Sequence, residues 1–394
     1  SNVYIEINNE EEFITITDGN GMSEEDFDSK WLVIGTSEKI INSISQKERR
    51  RTGEKGIGRL SCARLGYTTT LYSINSNESF MTHIDWREFE DTSKTLDEIK
   101  FGFKILKDFV FNEFKHIKKG VQIRIEKFVE EEWTKEDIDR LESEINSFFS
   151  PTIKDNILNV FLKTDLKHDY SNSFEKLQNQ EDQNYTPEIE VQLSFDPNEV
   201  NHFHVISNLS GKKKKYPYEL DFRSDEYIDL IGPFEVNIAF YATSKGSLDL
   251  INNGTKVNTI RDFLRKNYGI RIFRDSVRVK PYGDPRHSAG DWLQLGKRRA
   301  SNPAGVGRKS YTMDVYKIIG RVEITADENP ILEDNSSREG IQDTIVYKKF
   351  QEVLVNIIRK MEVTRNAEYT LHNKPDPSKN KDPIDTFMNT IKTS

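Results

Sequence analysis

A single cysteine, Cys62, occurs among the 394 residues of the sequence. One cysteine rules out a disulfide within the chain and a zinc site built from cysteines. The sequence also lacks any apolar run approaching the roughly 20 residues that a membrane-spanning helix needs, and it lacks a basic stretch followed by an apolar leader. These absences predict a soluble, cytoplasmic protein without a membrane partner.

Positive charge is not in excess, because 57 lysines and arginines are outweighed by 65 aspartates and glutamates. The resulting net charge of -8 gives no general attraction to nucleic acids or anionic membranes. The seven histidines form no HExxH motif, so no metal site is predicted from these residues. Nucleophile motifs of the GxSxG type and the phosphate loop GxxxxGK followed by Ser or Thr are missing as well.

Aromatic residues are plentiful, with 23 Phe and 15 Tyr, and they can fill cores although 31% of the residues are charged. Segments with strand alternation and segments with helical period are mixed along the chain, which predicts an α+β fold. A strong helix pattern ends at Ser150 and Pro151, because proline disfavours helix in the residue before it. We therefore expect a first domain over 1–150, a second over 151–365 and a polar tail or linker over 366–394.

The same patterns predict individual elements. Strands are expected over Val3–Ile7, Phe13–Thr17, Thr68–Ser73, Ser79–Asp85, Phe101–Lys107, Val121–Ile125, Asn159–Thr164, Glu188–Ser194, Phe203–Ile206, Phe234–Tyr241, Ile270–Arg274, Val277–Val279 and Ile318–Ile324. Helices are expected over Glu24–Val33, Leu60–Leu65, Lys135–Phe149, Val257–Asn267 and Thr344–Val363. The polar stretch Lys167–Pro187 is expected to be a loop or insertion.

Residues 14–27 read ITITDGNGMSEEDF, an alternating strand pattern followed by DGNGM and an acidic run. The dipeptides Asp-Gly and Asn-Gly are strong turn signals, so these residues by themselves favour a hairpin turn. A binding site for a ligand at this turn is the alternative.

A second glycine cluster occurs in RRRTGEKGIGRLSCARLG, residues 49–66, with Gly53, Gly56 and Gly58 in a GxxGxG spacing. Glycines allow backbone amides to turn inward without a Cβ in the way. A following helix adds about half a positive charge at its N-terminus, which favours phosphate. An ordinary flexible loop remains the alternative, because the spacing alone is common.

Taken in order, the two glycine clusters resemble those of the GHKL ATPases, the superfamily of gyrase B subunits, ninety-kilodalton heat-shock chaperones, sensor histidine kinases, MutL and MORC. The resemblance implies a Bergerat-type α/β sandwich that binds ATP and Mg²⁺, with Asp18 accepting a hydrogen bond from the adenine amine and residues 38–52 forming a lid. It implies a base pocket at Gly19, Gly21 and Met22, and a phosphate site at Gly53, Lys55, Gly56, Ile57, Gly58 and Arg59.

Two features depart from the superfamily pattern. The opening residues SNVYIEIN resemble the strand that follows the helix carrying the catalytic glutamate and the magnesium-binding asparagine, so that helix is expected to lie upstream and no general base is assigned. Relatives place Gly-Thr where this sequence has Gly120-Val121. Valine cannot donate the hydrogen bond by which that threonine supports the adenine-binding aspartate.

The second half resembles the ribosomal S-five-like transducer domain of these ATPases, and more narrowly that of MORC-like prokaryotic proteins found beside defence genes. The resemblance depends on residues 269–284, 291–305 and 320–340. It implies a cation that reaches the γ-phosphate on domain closure. Lys297, expected in a loop between strands, is the candidate, with Arg298 and Arg299 as alternatives; a solvated basic loop is the competing interpretation.

The resemblance implies an ATP-driven conformational clamp that hydrolyses ATP to ADP and phosphate and forms a homodimer on ATP binding. Its partner is expected to be DNA or an effector protein, in antiviral defence or another DNA-linked process. The alternative is a nucleotide-gated binding module with little or no hydrolysis. A histidine kinase catalytic domain is less favoured, because the sequence offers no pair of phosphoacceptor helices.

Overall fold

The computed structural model describes the chain apart from residues 1, 34–57, 91–92, 94, 96–97, 100, 112, 131, 148–158, 178–184, 252–253, 302–310, 336–339 and 373–394. The chain divides into two compact units, Ser1–Gln183 and Asn184–Ser394.

The first unit is built on an eight-stranded sheet with the order β5-β4-β3-β6-β2-β1-β7-β8. Its strands are β1 Asn2–Asn8, β2 Phe13–Asp18, β3 Gly66–Ile74, β4 Ser79–Asp85, β5 Gly102–Leu106, β6 Gly120–Phe128, β7 Asn159–Thr164 and β8 Glu175–Lys176. Its helices are α1 Glu24–Asp26, α2 Cys62–Leu65 and α3 Lys135–Ser147. All strand pairs are antiparallel except β1 with β7.

One face of this sheet carries the main core of the first unit. Strand alternation places Ile7, Ile14 and Ile125 on that face, where they pack with Ile138 and Ile145 of α3. The opposite face carries the threonines of β2 and their polar neighbours on β1 and β6. The helices therefore cover the same sheet face on which the side chain of Asp18, at the end of β2, is placed by the alternation.

The second unit contains a seven-stranded sheet with the order β11-β10-β9-β12-β15-β13-β14. Its strands are β9 Ile189–Phe195, β10 Asn201–Ser207, β11 Lys214–Leu220, β12 Phe234–Phe240, β13 Gly269–Arg274, β14 Val277–Val279 and β15 Ile318–Ile324. Its helices are α4 Glu226–Asp229, α5 Lys245–Ile251, α6 Val257–Asn267, α7 Leu295–Ser301 and α8 Ile345–His372.

Helices lie on both faces of the second sheet. The apolar stripe of α8 packs against one face, and the rings of Phe350 and Phe234 meet at 5.0 Å in an edge-to-face contact. On the other face, Ile260 and Leu264 of α6 pack with Ala239 and Ile319. The sheet is therefore the middle layer of the second unit.

The domain boundary is later than the predicted 150/151. Strand β7 was expected to open the second domain, but it pairs in parallel with β1, from Asn2 opposite Asn159 to Ile7 opposite Thr164. The first unit accordingly extends to Gln183. Within the stretch expected to be a loop, Glu175–Lys176 adds a short edge strand to β7.

The last helix is longer than predicted. It was expected to end at Val363, with a polar linker from Asn366, but α8 continues to His372. The added turns are held by a buried carboxylate, because Lys214 Nζ lies 3.1 Å from Oε2 of the fully buried Glu368. The expected linker therefore does not begin at Asn366, and residues 373–394 lie outside the described part of the chain.

Candidate functional site

The DGNGM segment begins at the end of β2, an inner strand of the sheet, and turns over the ends of the neighbouring strands. Asp18 is the last residue of β2, opposite Val121 of β6. Its exposed carboxylate accepts a hydrogen bond at Oδ1 from the backbone N–H of Asn20, at 3.3 Å. A Cβ on Gly19 would meet nothing within 4 Å. The turn thus presents an accessible hydrogen-bond acceptor beside open space.

Gly21 is the position in this turn that tolerates no side chain. A Cβ built there would lie 1.7 Å from the carbonyl oxygen of Ile74 and 2.4 Å from its carbonyl carbon. The neighbour is backbone at the end of β3, so it cannot rotate away as a flexible side chain would. Glycine at this position is therefore required by close approach of two backbone segments.

Met22 is fixed to the sheet through a residue that sequence reasoning did not identify. The hydroxyl of Ser73, which is fully buried, accepts a hydrogen bond from Met22 N–H at 2.8 Å and donates one to Met22 C=O at 2.8 Å. No sequence motif marks this serine, which lies within the strand pattern GYTTTLYSI. Only the fold brings it to the turn.

An apolar cluster forms the floor next to the turn. Phe27, Leu71, Phe80 and Val121 are buried in it, and Met22 packs against them. The segment after the turn starts with a capping box in which Ser23 and Asp26 bond each other's backbone N–H groups. Phe27, Leu71 and Phe80 are almost fully buried, and the partly exposed side chains of the cluster include Met22 and Trp31. A partly exposed apolar side chain near a carboxylate suits a flat ring that carries one hydrogen-bond donor.

The segment predicted as one helix over Glu24–Val33 has a different form. Only Glu24–Asp26 is α-helical, and a π-helical turn follows over Phe27–Trp31, closed by Leu32 N–H to Phe27 C=O at 2.9 Å. The rings of Phe27 and Trp31 stack at 5.1 Å within this wider turn. Helical period alone does not distinguish the two forms, because both place apolar residues on one side.

Val121 departs from the superfamily pattern in its surroundings as well as its chemistry. Its side chain is part of the apolar cluster, and the preceding Gly120 lies under the turn, where a Cβ would be 2.4 Å from the carbonyl oxygen of Asp18. At the next residue pair of the same two strands, Gln122 Nε2 donates a hydrogen bond to Thr17 Oγ1 at 2.9 Å. Position 121 of β6 therefore offers Asp18 an apolar side chain and no hydroxyl.

The second glycine cluster falls mostly outside the described residues. Gly53, Lys55, Gly56 and Ile57 belong to the undescribed stretch 34–57, as does the whole of the expected lid over 38–52. Gly58 and Arg59 begin a 3-10 turn, Gly58–Ser61, that runs into α2. A short helix after the cluster was predicted, and that prediction is confirmed.

Cys62, the single cysteine of the chain, lies on α2 and is buried. It packs in the core of the first unit, and burial raises the pKa of its thiol. A thiol with a raised pKa is a poor nucleophile at neutral pH, so Cys62 has a packing role.

Lys297 is on a helix, not in the loop that the sequence suggested. Asp291 caps this helix, α7, by accepting hydrogen bonds from Leu295 N–H at 2.9 Å and Gly296 N–H at 2.8 Å. Lys297 is exposed on α7. The aspartate before Trp292 is the capping signal that the loop prediction overlooked.

The two alternatives to Lys297 already have anionic partners. Arg298 binds Glu362 of α8 through both carboxylate oxygens, and Glu362 also accepts a hydrogen bond from Met313 N–H at 2.7 Å. Arg299 pairs with Asp314. Lys297 is thus the member of the basic triplet for which the described residues provide no ion pair.

The described residues contain no group of three or more His, Cys, Asp or Glu side chains arranged to hold a metal ion. In the same part of the chain, no helix combines the length and the apolarity needed to cross a membrane.

Comparison with known proteins gives one family match. Residues 1–116 match the family model described as histidine kinase-, DNA gyrase B-, and HSP90-like ATPase. No curated protein matches this chain. The matched range contains β1–β5 and the DGNGM turn, and the mixed sheet-and-helix structure of the first unit is compatible with such a domain. The match shows that residues 1–116 are similar to ATPases of this description, and the geometry of the turn is compatible with the ATP binding that the match supports.

Proposed function

We propose that this chain is an ATP-driven conformational ATPase of the GHKL type, with its base pocket at the DGNGM turn. The observation that carries the proposal is the turn itself, in which the exposed Asp18 carboxylate precedes Gly21, packed against the Ile74 backbone, and the partly exposed Met22. Adenine combines a flat apolar body with one exocyclic amine donor. The turn offers a matching surface and acceptor.

The phosphate end of the site is assigned by resemblance. The amides of Gly53 to Gly58 cradle the phosphates, with Lys55 or Arg59 adding positive charge. Mg²⁺, when bound, neutralises charge on the phosphate oxygens. The chain's own residues then exclude water from the base and hold the nucleotide while the lid over 38–52 closes.

Lys297 is proposed as the γ-phosphate sensor. Lys297 is exposed, whereas both of its neighbours are engaged in ion pairs, Arg298 with Glu362 and Arg299 with Asp314. A flexible ammonium can neutralise the γ-phosphate only in a closed state, which makes loss of that phosphate a signal for opening. The second unit is thereby assigned the role of an S-five-like transducer.

The wider role is a MORC-like one. ATP binding brings two copies of the chain together, and the resulting clamp acts on DNA or an effector protein in prokaryotic defence. This part of the proposal rests on the resemblance of residues 269–340 and has no independent support from charge, since the chain carries -8.

A nucleotide-gated binding module with little or no hydrolysis is the second candidate. Val121 favours it, because an apolar side chain stands where relatives support the adenine-binding aspartate with a hydroxyl. Such a module would bind ATP and close but release the nucleotide unhydrolysed.

The test measures ATP binding by calorimetry and phosphate release on the full-length natural protein and on its Asp18→Asn and Asp85→Asn variants. Asp85 serves as the matched control, because it also ends a strand of the same sheet and its carboxylate forms an ion pair with Arg87. Binding that is lost only in Asp18→Asn, with turnover in the unaltered protein, supports the ATPase. Binding without turnover favours the module, and no binding to the unaltered protein overturns both.

A further inference from the structure

A cross-strand row connects Asp18 to Ser73. Val121 lies directly opposite Asp18 on one side and directly opposite Ser73 on the other, so the three side chains share one sheet face. With strands about 4.8 Å apart, Asp18 and Ser73 are about 10 Å from each other, roughly the length of a purine base with its substituents. The valine between them is buried in the apolar cluster next to the turn.

Both backbone hydrogen-bonding groups of Met22 are used by Ser73. The N–H and the C=O of Met22 each lie 2.8 Å from Ser73 Oγ. Because the fully buried Ser73 hydroxyl uses both groups, neither the N–H nor the C=O of Met22 is available to a bound base. The acceptor on Asp18 then dominates recognition at this end of the pocket.

We infer that Ser73 is a positioning and specificity-determining residue of the base pocket, a role that rests on the proposed function. It holds residues 21 and 22 in register with Asp18 from β3, whereas support from a β6 hydroxyl is absent at Val121. It also hides the Met22 N–H, a donor that would otherwise suit the O6 acceptor of guanine. Selection of adenine over guanine nucleotides therefore depends on Ser73 as well as on Asp18.

The test compares Kd for Mg·ATP and Mg·GTP in the unaltered chain, Ser73→Ala, Ser73→Thr and Thr82→Val. Thr82 is a fully buried hydroxyl on the neighbouring β4, in the next row of the same face, and it makes no hydrogen bond, so its removal is the matched control. We expect Ser73→Ala to weaken ATP binding by about tenfold, the scale of two lost hydrogen bonds, and to reduce the preference for ATP over GTP. Ser73→Thr, which keeps the hydroxyl, and Thr82→Val keep the preference.

The outcomes separate this inference from the proposed function. If the unaltered chain binds ATP and Ser73→Ala keeps both affinity and preference, losing only thermal stability, Ser73 is structural and the inference is overturned. If the unaltered chain binds no ATP, the proposed function falls and this inference with it. Should Ser73→Ala fail to fold, Ser73→Cys replaces the hydroxyl with a weaker hydrogen-bonding thiol, and an unchanged preference there overturns the inference equally.

Discussion

Gly21 and Gly19 differ sharply although they are two residues apart in the same turn. The missing side chain of Gly21 leaves room for the Ile74 carbonyl, while that of Gly19 faces open space. Turn chemistry in the sequence treats both glycines alike. The difference depends on the end of β3, which only the folded chain brings to the turn.

Replacing Gly21 by alanine is expected to abolish measurable ATP binding and to lower the free energy of unfolding by about 1–3 kcal/mol, the usual cost of forcing extra volume against fixed atoms. Gly19→Ala, the matched control, is expected to keep the free energy of unfolding within error, because a Cβ there meets nothing within 4 Å. Calorimetric titration and urea unfolding check the pair. If the two variants lost equal amounts of the free energy of unfolding, the close contact between Gly21 and Ile74 would not be what fixes the turn.

Glu362 is the residue on which the anchoring of α7 to α8 depends. It takes the Arg298 guanidinium and the Met313 N–H, and it is almost completely buried. Glu362→Gln leaves a partly buried arginine without its charge partner, so we expect a loss of about 2–4 kcal/mol in the free energy of unfolding of the second unit.

Glu352→Gln is the control for this change. Glu352 lies on the same helix, but its carboxylate is half-exposed and pairs with Lys349 at 3.1 Å. A loss below about 0.5 kcal/mol is expected there. Urea unfolding followed by circular dichroism compares the two variants, and similar losses would contradict a special role for Glu362.

At the scale of elements, α4 is tied to α8 by one aspartate. Asp225 caps α4 by accepting a hydrogen bond from Tyr227 N–H at 3.1 Å, and its carboxylate lies 2.6 Å from Lys349 Nζ of α8. The hydrogen bond from Lys349 is the main cause that lowers the pKa of Asp225 below the ordinary 3.8. A lowered carboxyl pKa contributes stability above the unfolded value, which is lost as the pH falls through the folded one.

Asp225→Asn is therefore expected to lower the free energy of unfolding by about 0.5–1 kcal/mol at pH 7. The difference from the unaltered chain should shrink as the pH falls below the ordinary carboxyl range and vanish once the Asp225 carboxyl is protonated in the folded chain. Unfolding measured across this range tests the sign. A difference that grows on acidification would contradict the assigned ion pair.

Elements with a strong internal signal could be predicted from the sequence. Helix α6 has the predicted bounds Val257–Asn267, and the helix predicted over Thr344–Val363 covers the part of α8 that holds its buried apolar residues. Strand β11 was not predicted, because its exposed edge position requires little apolar alternation and leaves lysine, proline and glutamate in the strand. The carboxylate of Glu368 has no recognisable signal before its partner Lys214 is in place.

The candidate site was predictable as residues but not as an arrangement. Asp18, Gly21 and Met22 follow from the motif, whereas the role of Ser73 follows from a hydrogen bond across 51 positions. Local patterns carry propensity and periodicity, and they do not carry strand pairing between distant segments. For the same reason β7 was assigned to the wrong domain.

At the scale of the whole molecule, the parallel pair of β1 and β7 decides how the chain can be divided. Val160 and Leu162 of β7 are buried in the core of the first unit. A fragment of residues 1–183 is expected to unfold cooperatively and bind ATP, whereas a fragment of 1–150 lacks the strand beside β1. Thermal unfolding and ATP titration of both fragments check the boundary; a stable, binding-competent 1–150 fragment would contradict it.

The pairing of β1 with β7 also has a consequence for synthesis on the ribosome. Asn2 of β1 cannot pair until Asn159 of β7, which follows it by 157 positions, has been synthesised. At about 5–20 residues per second, translation of that interval takes roughly 8–30 s. During this time β1 has an unpaired edge that other nascent chains can meet, and the turn that follows β2 belongs to an unfinished sheet. Nucleotide in the cell can therefore assist only the last stage of folding of this unit, after β7 has left the exit tunnel.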